Sequence, residues 1–395
     1  MKKNIKNNVD WVGKIDWELT RFHGDEYSTN RGSSYNAYLI REGKNVLIDT
    51  VWKPFAKEFV ANLQSEIDLD KIDLVITNHA EIDHSGALDE LMQHIPNVPV
   101  YCSNNGLKSI KGLHHQDWNL VPVKTGDSID IGNGKSLVFV EMRMLHWPDS
   151  MATYLTGDNI LFSNDAFGQH YANDLLFNDL VDQEELHEES IKYYANILTP
   201  FSALVEKKIN EVVGLNVPID IIAPSHGVIW RKDPLQIVQK YMAWAQDYQE
   251  DQITILYDSM WDGTRVMAEN IALGIRKANP SVTLKVFNIA KTDKNDVITQ
   301  VFKSRLILVG SPTIGKGVSF ATAGILEMIE GMRFKNKKAA SFGAYGWSGE
   351  AIEVIRERLE KGGFEIVNPG LKCLWNPDVD AIKACVQYGE EIGRL

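Results

Sequence analysis

Short apolar runs alternate with amphipathic segments along the chain, and this alternation predicts strands and helices that follow one another. In the first half, β-branched runs at 74–77 and 219–225 are bounded by polar residues, as is typical of buried strands. Residues 35–41 and 45–49 flank a Glu-Gly-Lys turn and predict a β-hairpin. A helix is expected over 54–63. The pattern therefore indicates an α/β protein.

A change of pattern near residue 252 predicts two domains, residues 1–251 and residues 252–395. An amphipathic helix is predicted from Pro234 to Glu250, and strict alternation of strands and helices follows it. Such alternation predicts a doubly wound parallel sheet. At 395 residues the chain is long enough for two cores. The buried strands expected in the second domain are 253–257, 306–310 and 338–342.

Residues 78–86 form the densest cluster of chemically capable side chains. The cluster follows the strand 74–77 and precedes a predicted helix over 87–92, for which Ser85 is the expected cap. Four potential ligands in one loop would repel one another or be desolvated at a cost unless a cation neutralised them. The pattern H-x-E-x-D-H therefore predicts a metal site whose ligands are His79, Glu81, Asp83 and His84.

Three further residues of ligand type stand just beyond predicted strands: His146, Asp165 and His226. A rigid sheet can aim several strand-end loops at one point, so we expect these residues to converge with the cluster. The remaining histidines in polar contexts are expected at the surface: His94, His114, His115 and His187.

Three loops of the second domain carry hydroxyl groups and glycines. The loop 258–264 precedes a helix, and a helix N-terminus binds phosphate through backbone N–H groups. The loops 311–317 and 343–349 follow the next strands. Loops at the strand ends of an open parallel sheet meet at its switch point. No G-x-G-x-x-G follows the first strand, which argues against a dinucleotide.

The amino-acid composition argues against several classes of binding partner. The net charge of −12 and the pI near 5.4 argue against a nucleic-acid or anionic-membrane surface. No apolar run reaches the length of a membrane span, and the N-terminus does not resemble a signal peptide, so we expect a cytoplasmic protein. Metal chemistry must rest on His and carboxylates, because the three cysteines are too few and too scattered for a disulfide framework or an all-cysteine zinc site: Cys102, Cys373 and Cys385.

H-x-E-x-D-H followed by a lone His, a lone Asp and a last His resembles the metallo-β-lactamase fold, and Glu81 resembles the flavodiiron variant of it. Hydrolytic members typically have His at this position, and a second carboxylate favours iron over zinc. The resemblance implies an N-terminal αβ/βα metallo-β-lactamase-like sandwich followed by a doubly wound parallel-sheet flavodoxin-like domain. The segments 31–36, 145–150 and 163–170 are most similar to the bacterial flavorubredoxin branch.

The resemblance also implies the site residues. One iron would be held by His79, Glu81 and His146, and the second by Asp83, His226 and His84, with Asp165 bridging. In some members the residue matching His84 is turned away from the metal, which leaves its ligation open. Three residues would line the pocket above the metals: His23, His170 and Tyr193. FMN would be bound by Ser259, Met260, Trp261, Gly263, Thr264, Ser311, Pro312, Thr313, Ile314, Gly315, Ser341, Gly343, Ala344, Tyr345, Gly346 and Trp347.

The function implied is that of a reductase. FMN would accept electrons from an external carrier and pass them to the diiron centre, which reduces dioxygen to water or couples two nitric oxide molecules into nitrous oxide. The flavorubredoxin-like segments favour nitric oxide. The donor would be a rubredoxin, a reduced deazaflavin or another carrier, and without a C-x-x-C pair in this chain a rubredoxin would be a separate protein. A head-to-tail homodimer, alone or within a tetramer, is expected.

Two other functions stay open. One is a zinc-dependent hydrolase with an accessory flavodoxin-like module, against which Glu81 argues. The other is an electron-transfer or sensor protein whose metal site only binds a gas.

Overall fold

The computed structural model describes residues 2–395, which form two compact units. The first unit comprises the chain up to Tyr194 together with Phe201–Met242, and the second comprises Ala195–Pro200 and Ala243–Leu395. Each unit has its own apolar core. Among the residues described, no helix is long and apolar enough to cross a membrane.

The strands of the first unit are short and mostly buried. In chain order they are β1 (Lys3–Lys6), β2 (Val9–Trp11), β3 (Lys14–Asp16), β4 (Arg21–Phe22), β5 (Tyr27–Ser28), β6 (Ser33–Tyr35), β7 (Tyr38–Arg41), β8 (Asn45–Ile48), β9 (Leu74–Ile76), β10 (Val100–Ser103), β11 (Leu120–Val123), β12 (Ser128–Gly132), β13 (Lys135–Glu141), β14 (Met151–Leu155), β15 (Ile160–Asn164) and β16 (Ile221–Pro224).

The helices that accompany these strands are α1 (Ala56–Glu66), α2 (Ile82–Ser85), α3 (Leu88–His94), α4 (Asn104–His114), α5 (Gln183–Tyr193), α6 (Ser202–Gly214) and α7 (Leu235–Ala245). Short 3₁₀ turns and one π-helix occur at Lys53–Phe55, Leu69–Lys71, Thr199–Phe201 and Tyr194–Leu198. The predicted cap was wrong, because α3 begins after Ala87 without a side-chain cap. The Ser85 hydroxyl instead donates to the carbonyl of Ala80 at 2.6 Å.

Two sheets share the apolar core of the first unit. The first has the order β1-β2-β7-β8-β9-β10-β11, with β7 and β8 forming the predicted hairpin and β8 to β11 parallel. The second has the order β12-β13-β14-β15-β16. Ile48 and Ile76 of the first sheet join Phe139 and Phe162 of the second in one buried cluster. This arrangement confirms the predicted sandwich.

Strand direction explains why the loops of the second sheet meet. β14 is antiparallel to both β13 and β15, and β16 is parallel to β15. β13, β15 and β16 therefore run in one direction, and their carboxyl ends share one edge of the sheet. The segments that follow these strands carry His146, Asp165 and His226.

The second unit is the predicted doubly wound sheet. Its strands, all paired in parallel, have the order β18-β17-β19-β20-β21, with β22 continuing the edge beside β20. This is the flavodoxin-like order, which has a switch point between its first and third strands. The elements are β17 (Glu250–Tyr257), α8 (Gly263–Ala278), β18 (Thr283–Asn288), α9 (Lys294–Lys303), β19 (Ser304–Gly310), α10 (Phe320–Met332), β20 (Lys337–Tyr345), α11 (Ala351–Lys361), β21 (Phe364–Ile366), β22 (Leu371–Leu374) and α12 (Val379–Gly393).

Candidate functional site

Three of the predicted metal ligands form a first group at the edge of the sandwich. His79 Nε2 lies 3.2 Å from Glu81 Oε2, and His146 Nε2 lies 3.7 Å from the same oxygen. The ligand atoms of the three side chains lie within 4.8 Å of one another. His79 comes from the loop after β9, whereas His146 comes from the loop after β13, so the group joins both sheets.

Three further predicted ligands form a second group beside the first. Asp83 Oδ2 lies 3.2 Å from His84 Nε2 and 3.0 Å from His226 Nε2. All three side chains are buried. His84 therefore faces the same point as Asp83 and His226.

Asp165 lies between the two groups and turns one carboxylate oxygen toward each. Its Oδ2 atom lies 3.6 Å from Nε2 of both His79 and His146. Its Oδ1 atom lies 3.1 Å from His84 Nε2 and 3.5 Å from His226 Nε2. This is the arrangement in which a carboxylate can bridge two cations.

The donor set fits two metal ions. Asp83 Oδ1 and Asp165 Oδ2 are buried and accept no hydrogen bond from the residues described, which is costly for carboxylates that no cation neutralises. Burial alone would lower the pKa of His226, but Asp165 and Asp83 raise it to about 10. The proton on His226 thus offsets the negative charge of the carboxylates at a position where a cation would bind. A mixed set of four imidazoles and three carboxylates suits iron.

Hydrogen bonds on the far side of the rings orient two of the histidines. Nδ1 of His79 lies 2.9 Å from Asp149 Oδ2, and Nδ1 of His226 lies 2.7 Å from the carbonyl oxygen of Ser34. Both contacts leave Nε2 directed into the site. Burial alone would raise the pKa of Asp149, but its contact with His79 holds it below the ordinary value. Asp149 was not among the predicted site residues.

Buried polar groups also fix the two ends of the loop that carries His79 to His84. At its start, the Asn78 N–H donates to Asp49 Oδ1 at 2.7 Å. At its end, the Ser85 hydroxyl lies 2.9 Å from Nε2 of His114, and His114 is only 7% exposed. The prediction that His114 lies at the surface was therefore wrong. This buried residue contacts Ser85 at the end of the loop that carries His79 to His84, which we call the metal loop.

The three residues predicted above the metals lie close to them. His23 Nε2 is 3.1 Å from Glu81 Oε1. The His170 ring centroid lies 4.9 Å from that of His226 and 5.4 Å from that of Tyr193. His170 and Tyr193 are almost fully buried. An aromatic and imidazole wall thus closes the metal site from one side.

In the second unit, three loops meet beyond the ends of β17, β19 and β20. The Ala344 N–H donates to Thr264 Oγ1, and the Thr313 N–H donates to the Ala344 carbonyl, each at 3.4 Å. A Cβ at Gly343, near the end of β20, would lie 2.1 Å from the Ser311 carbonyl oxygen, so this position requires glycine. These bonds hold the loops together at the switch point, beside the N-terminus of α8.

Exposed aromatic side chains stand around these loops. Trp261 is 81% exposed and Trp347 is 87% exposed, an unusual exposure for tryptophan. Trp375, which was not predicted, contributes a third ring next to Gly346. Flat rings that are open to solvent in this way can stack on a planar cofactor.

The structure brings the predicted cofactor residues to these loops or to the adjoining end of β20, with one exception. Ser341 lies inside β20, is 1% exposed, and packs its hydroxyl against Gly370. The other predicted residues are in or beside the loops: Ser259, Met260, Trp261, Gly263, Thr264, Ser311, Pro312, Thr313, Ile314, Gly315, Gly343, Ala344, Tyr345, Gly346 and Trp347.

Comparison with known proteins agrees with both halves of the site. A family model described as ODP family beta lactamase matches residues 34–227, and a flavodoxin model matches residues 255–389. The curated Anaerobic nitric oxide reductase flavorubredoxin of Enterobacter sp. (strain 638) is 59% identical over 391 residues, which are 99% of this chain and 81% of that protein. The protein of the same name from Aeromonas hydrophila is 57% identical over 395 residues, with 100% and 80% covered.

Solved structures show the same relationship in three dimensions. Rubredoxin oxygen:oxidoreductase from Desulfovibrio gigas superposes with a TM-score of 0.96 at 34% identity, covering 100% of this chain and 98% of that one. The flavodiiron protein from Giardia intestinalis superposes with a TM-score of 0.94 at 31% identity, covering 100% and 96%. The cofactors of such a protein are FMN and a diiron centre. The chain is an oxidoreductase and belongs to the flavodiiron proteins, on their flavorubredoxin branch.

Proposed function

We propose that this chain reduces nitric oxide to nitrous oxide, with dioxygen as a second substrate that it reduces to water. Coupling of two nitric oxide molecules consumes two electrons and two protons and releases one nitrous oxide and one water. The observation that carries the proposal is Asp165, because one of its oxygens faces each of two matched groups of ligands. Two adjacent metals would be able to bring two diatomic molecules together.

The proposed ligands of one iron are His79, Glu81 and His146, and those of the other are Asp83, His84 and His226, with Asp165 bridging. His84 is included because its Nε2 lies near both Asp83 and Asp165. When bound, the two irons supply the redox chemistry and bind the gas. The protein's own part is to bring the carboxylates together and to keep the ring Nε2 atoms directed inward.

The residues above the metals are proposed to position the gas and supply hydrogen bonds. Burial raises the pKa of the Tyr193 phenol well above its ordinary value, so its hydroxyl keeps its proton and stays a donor. Burial and the neighbouring His226 hold the pKa of His170 well below its ordinary value, so its ring is neutral. His23 bonds Glu81 and is proposed to control access from that side.

FMN is proposed to lie on the three loops of the second unit. Its phosphate would take the N-terminus of α8 beside Ser259 and Thr264, where backbone N–H groups and the helix dipole favour an anion. Trp347 and Trp261 would flank its ring. When bound, FMN accepts electrons from the donor and passes them on. The donor is proposed to be a rubredoxin, which the names of the relatives support, with a reduced deazaflavin as the alternative.

A head-to-tail homodimer, alone or within a tetramer, is proposed to bring the FMN of one copy near the irons of the other. The charge distribution supports this pairing. Residues 252–395 contain 19 Lys and Arg against 16 Asp and Glu, whereas residues 1–251 contain 22 against 37. A basic half of one copy would therefore face an acidic half of the other.

Anaerobic turnover with nitric oxide tests the proposal. Purified protein loaded with iron and FMN would receive reduced rubredoxin, and nitrous oxide would be measured by gas chromatography. We expect one nitrous oxide per two nitric oxide molecules, and a slower or comparable consumption of dioxygen. A loaded protein that consumes neither gas would overturn the proposal. Two zinc ions with esterase activity would favour the hydrolase alternative.

A further inference from the structure

The two proposed metal positions have matched ligands but unequal support. Each has two histidines, one carboxylate of its own and one oxygen of Asp165. The difference lies in the groups that contact the Nδ1 atoms of the ligand histidines. His79 directs Nδ1 at a carboxylate, Asp149, whereas His226 directs Nδ1 at a neutral carbonyl, that of Ser34. The position that contains His79 therefore has an anion behind one of its ligands.

The groups around Asp149 hold its carboxylate in place. Its side chain is 1% exposed, and its Oδ2 atom accepts from Nδ1 of His79 at 2.9 Å and from the Ala80 N–H at 2.8 Å. Its Oδ1 atom accepts from the Ser109 hydroxyl at 3.2 Å. Its backbone carbonyl accepts from the Ser103 hydroxyl at 2.7 Å. The carboxylate is thus buried, oriented and supplied with donors on both oxygens.

The same residue ties together two ligand-bearing segments. Asp149 belongs to the segment between β13 and β14, three positions after His146, while the groups it accepts from belong to His79 and Ala80 in the loop after β9. Both segments supply ligands to the same metal position. One buried carboxylate therefore connects the two segments that carry His79 and His146.

We propose that Asp149 is a positioning residue that makes the two metal positions unequal, so that the metal held by His79, Glu81 and His146 is bound more tightly and reduced at a lower potential. The inference rests on the ligand assignment of the proposed function. A carboxylate that accepts from Nδ1 makes the imidazole a stronger donor at Nε2, and a stronger donor favours the more oxidised metal. The hydrogen bond from His23 to Glu81 acts on the same metal position in the opposite sense. The effect of Asp149 is therefore isolated by substituting Asp149, and not by comparing the two metal positions with each other.

Titration of the apoprotein with Co²⁺, followed by its visible absorption, tests the inference without turnover. In D149N the side chain keeps its shape but loses its charge. We expect the tighter of two binding steps to weaken about 10-fold to 100-fold while the other changes little. Asp158→Asn is the matched control, because Asp158 is equally buried in the first unit but bonds Lys135 and no residue of the metal loop. Two affinities within twofold of wild type in folded D149N would overturn the inference.

A redox titration of the iron-loaded protein, followed by electron paramagnetic resonance, supplies the second readout. D149N should raise the potential of the iron that is harder to reduce, and D158N should not. If D149N does not fold, Ser109→Ala carries the test. Loss of that hydroxyl leaves Asp149 more basic and should lower the same potential, so an unchanged or raised potential would overturn the inference. Neither readout requires activity toward nitric oxide, so failure of the proposed function would be seen separately.

Discussion

The Ser33 hydroxyl lies 2.7 Å from Nδ1 of His170 in the interior of the first unit. The other ring nitrogen of His170 is buried and has no hydrogen-bond partner among the residues described. Ser33 thus fixes the plane of a ring that stands 4.9 Å from the ring of His226. The pair gives the wall above the metals a definite orientation.

We expect Ser33→Ala to lower nitric oxide turnover about 10-fold with unchanged iron content, because the His170 ring loses the contact that orients it. The measurement is nitrous oxide formed per iron pair. Ser190→Ala is the control, since Ser190 is equally buried but donates to Leu186 within α5. Equal turnover in the two variants would show that Ser33 does not act on the reaction.

Gly227 follows His226 and adopts a φ of +72°. A Cβ at this position would lie 1.7 Å from Oε1 of Gln169 and 2.3 Å from its carbonyl oxygen. We expect Gly227→Ala to cost about 3 kcal/mol of unfolding free energy and to release one of two irons, because relief of the clash moves His226.

Gly134→Ala separates the clash from the backbone strain. Gly134 has a φ of +74° but nothing within 4 Å of its virtual Cβ. Its substitution should therefore cost only about 1 to 2 kcal/mol and leave the iron content unchanged. Chemical denaturation and metal analysis of both variants give the comparison. Similar losses in both would mean that the contact with Gln169 is unimportant.

Glu42 forms an ion pair with Lys135 inside the first unit, where the Glu42 side chain is 2% exposed. Burial alone would raise the pKa of Glu42, but hydrogen bonds from Lys135, Asn133 and Asn8 outweigh it and hold the pKa below 4.5. The stabilisation is therefore fully present above pH 4.5 and is lost as the pH falls through the lower, folded-state pKa.

We expect Glu42→Gln to cost about 1 to 3 kcal/mol at pH 7 and progressively less below pH 4.5. Urea denaturation at a series of pH values measures the difference from wild type. Glu58→Gln is the control, because the pair between Glu58 and Lys14 is exposed and should contribute less than about 1 kcal/mol at any pH. A cost for Glu42→Gln that does not fall in acid would contradict the ion-pair account.

Removal of the metals should act on the first unit alone. Ligands that bind only the folded state stabilise it by mass action, so chelation should lower the melting temperature of the first unit by several degrees. The second unit has a separate core and should melt as before. Calorimetry of the loaded and chelated protein measures both transitions. Removal of FMN is the converse experiment and should shift only the second transition.

The sequence was most informative about residues whose chemical role coincides with a local hydrophobic pattern. Strand ends were predictable because apolar runs stop where polar residues begin, and the ligands stand at those points. Asp149 was missed because its partner His79 is 70 positions earlier, and no local periodicity relates the two. His114 was misplaced for the same reason, since polar neighbours in the sequence hide its contact with Ser85.

Ser85 shows how one residue type can serve two purposes. A serine before a helical pattern is typical of a cap, yet its hydroxyl closes the metal loop on Ala80. Trp375 illustrates a different limit, because it follows β22 at the edge of the sheet and reaches the loops only through the fold. Pairings of this kind depend on topology, which the hydrophobic pattern does not contain.

The distance along the chain between His79 and His226 has a consequence for biosynthesis. Asp165 directly follows β15, and β16, which is made later, must pair with β15 before His226 can reach the other ligands. The group of His79, Glu81 and His146 is therefore synthesised before the last ligand of the second group. The two proposed metal positions are thus completed at different stages of translation.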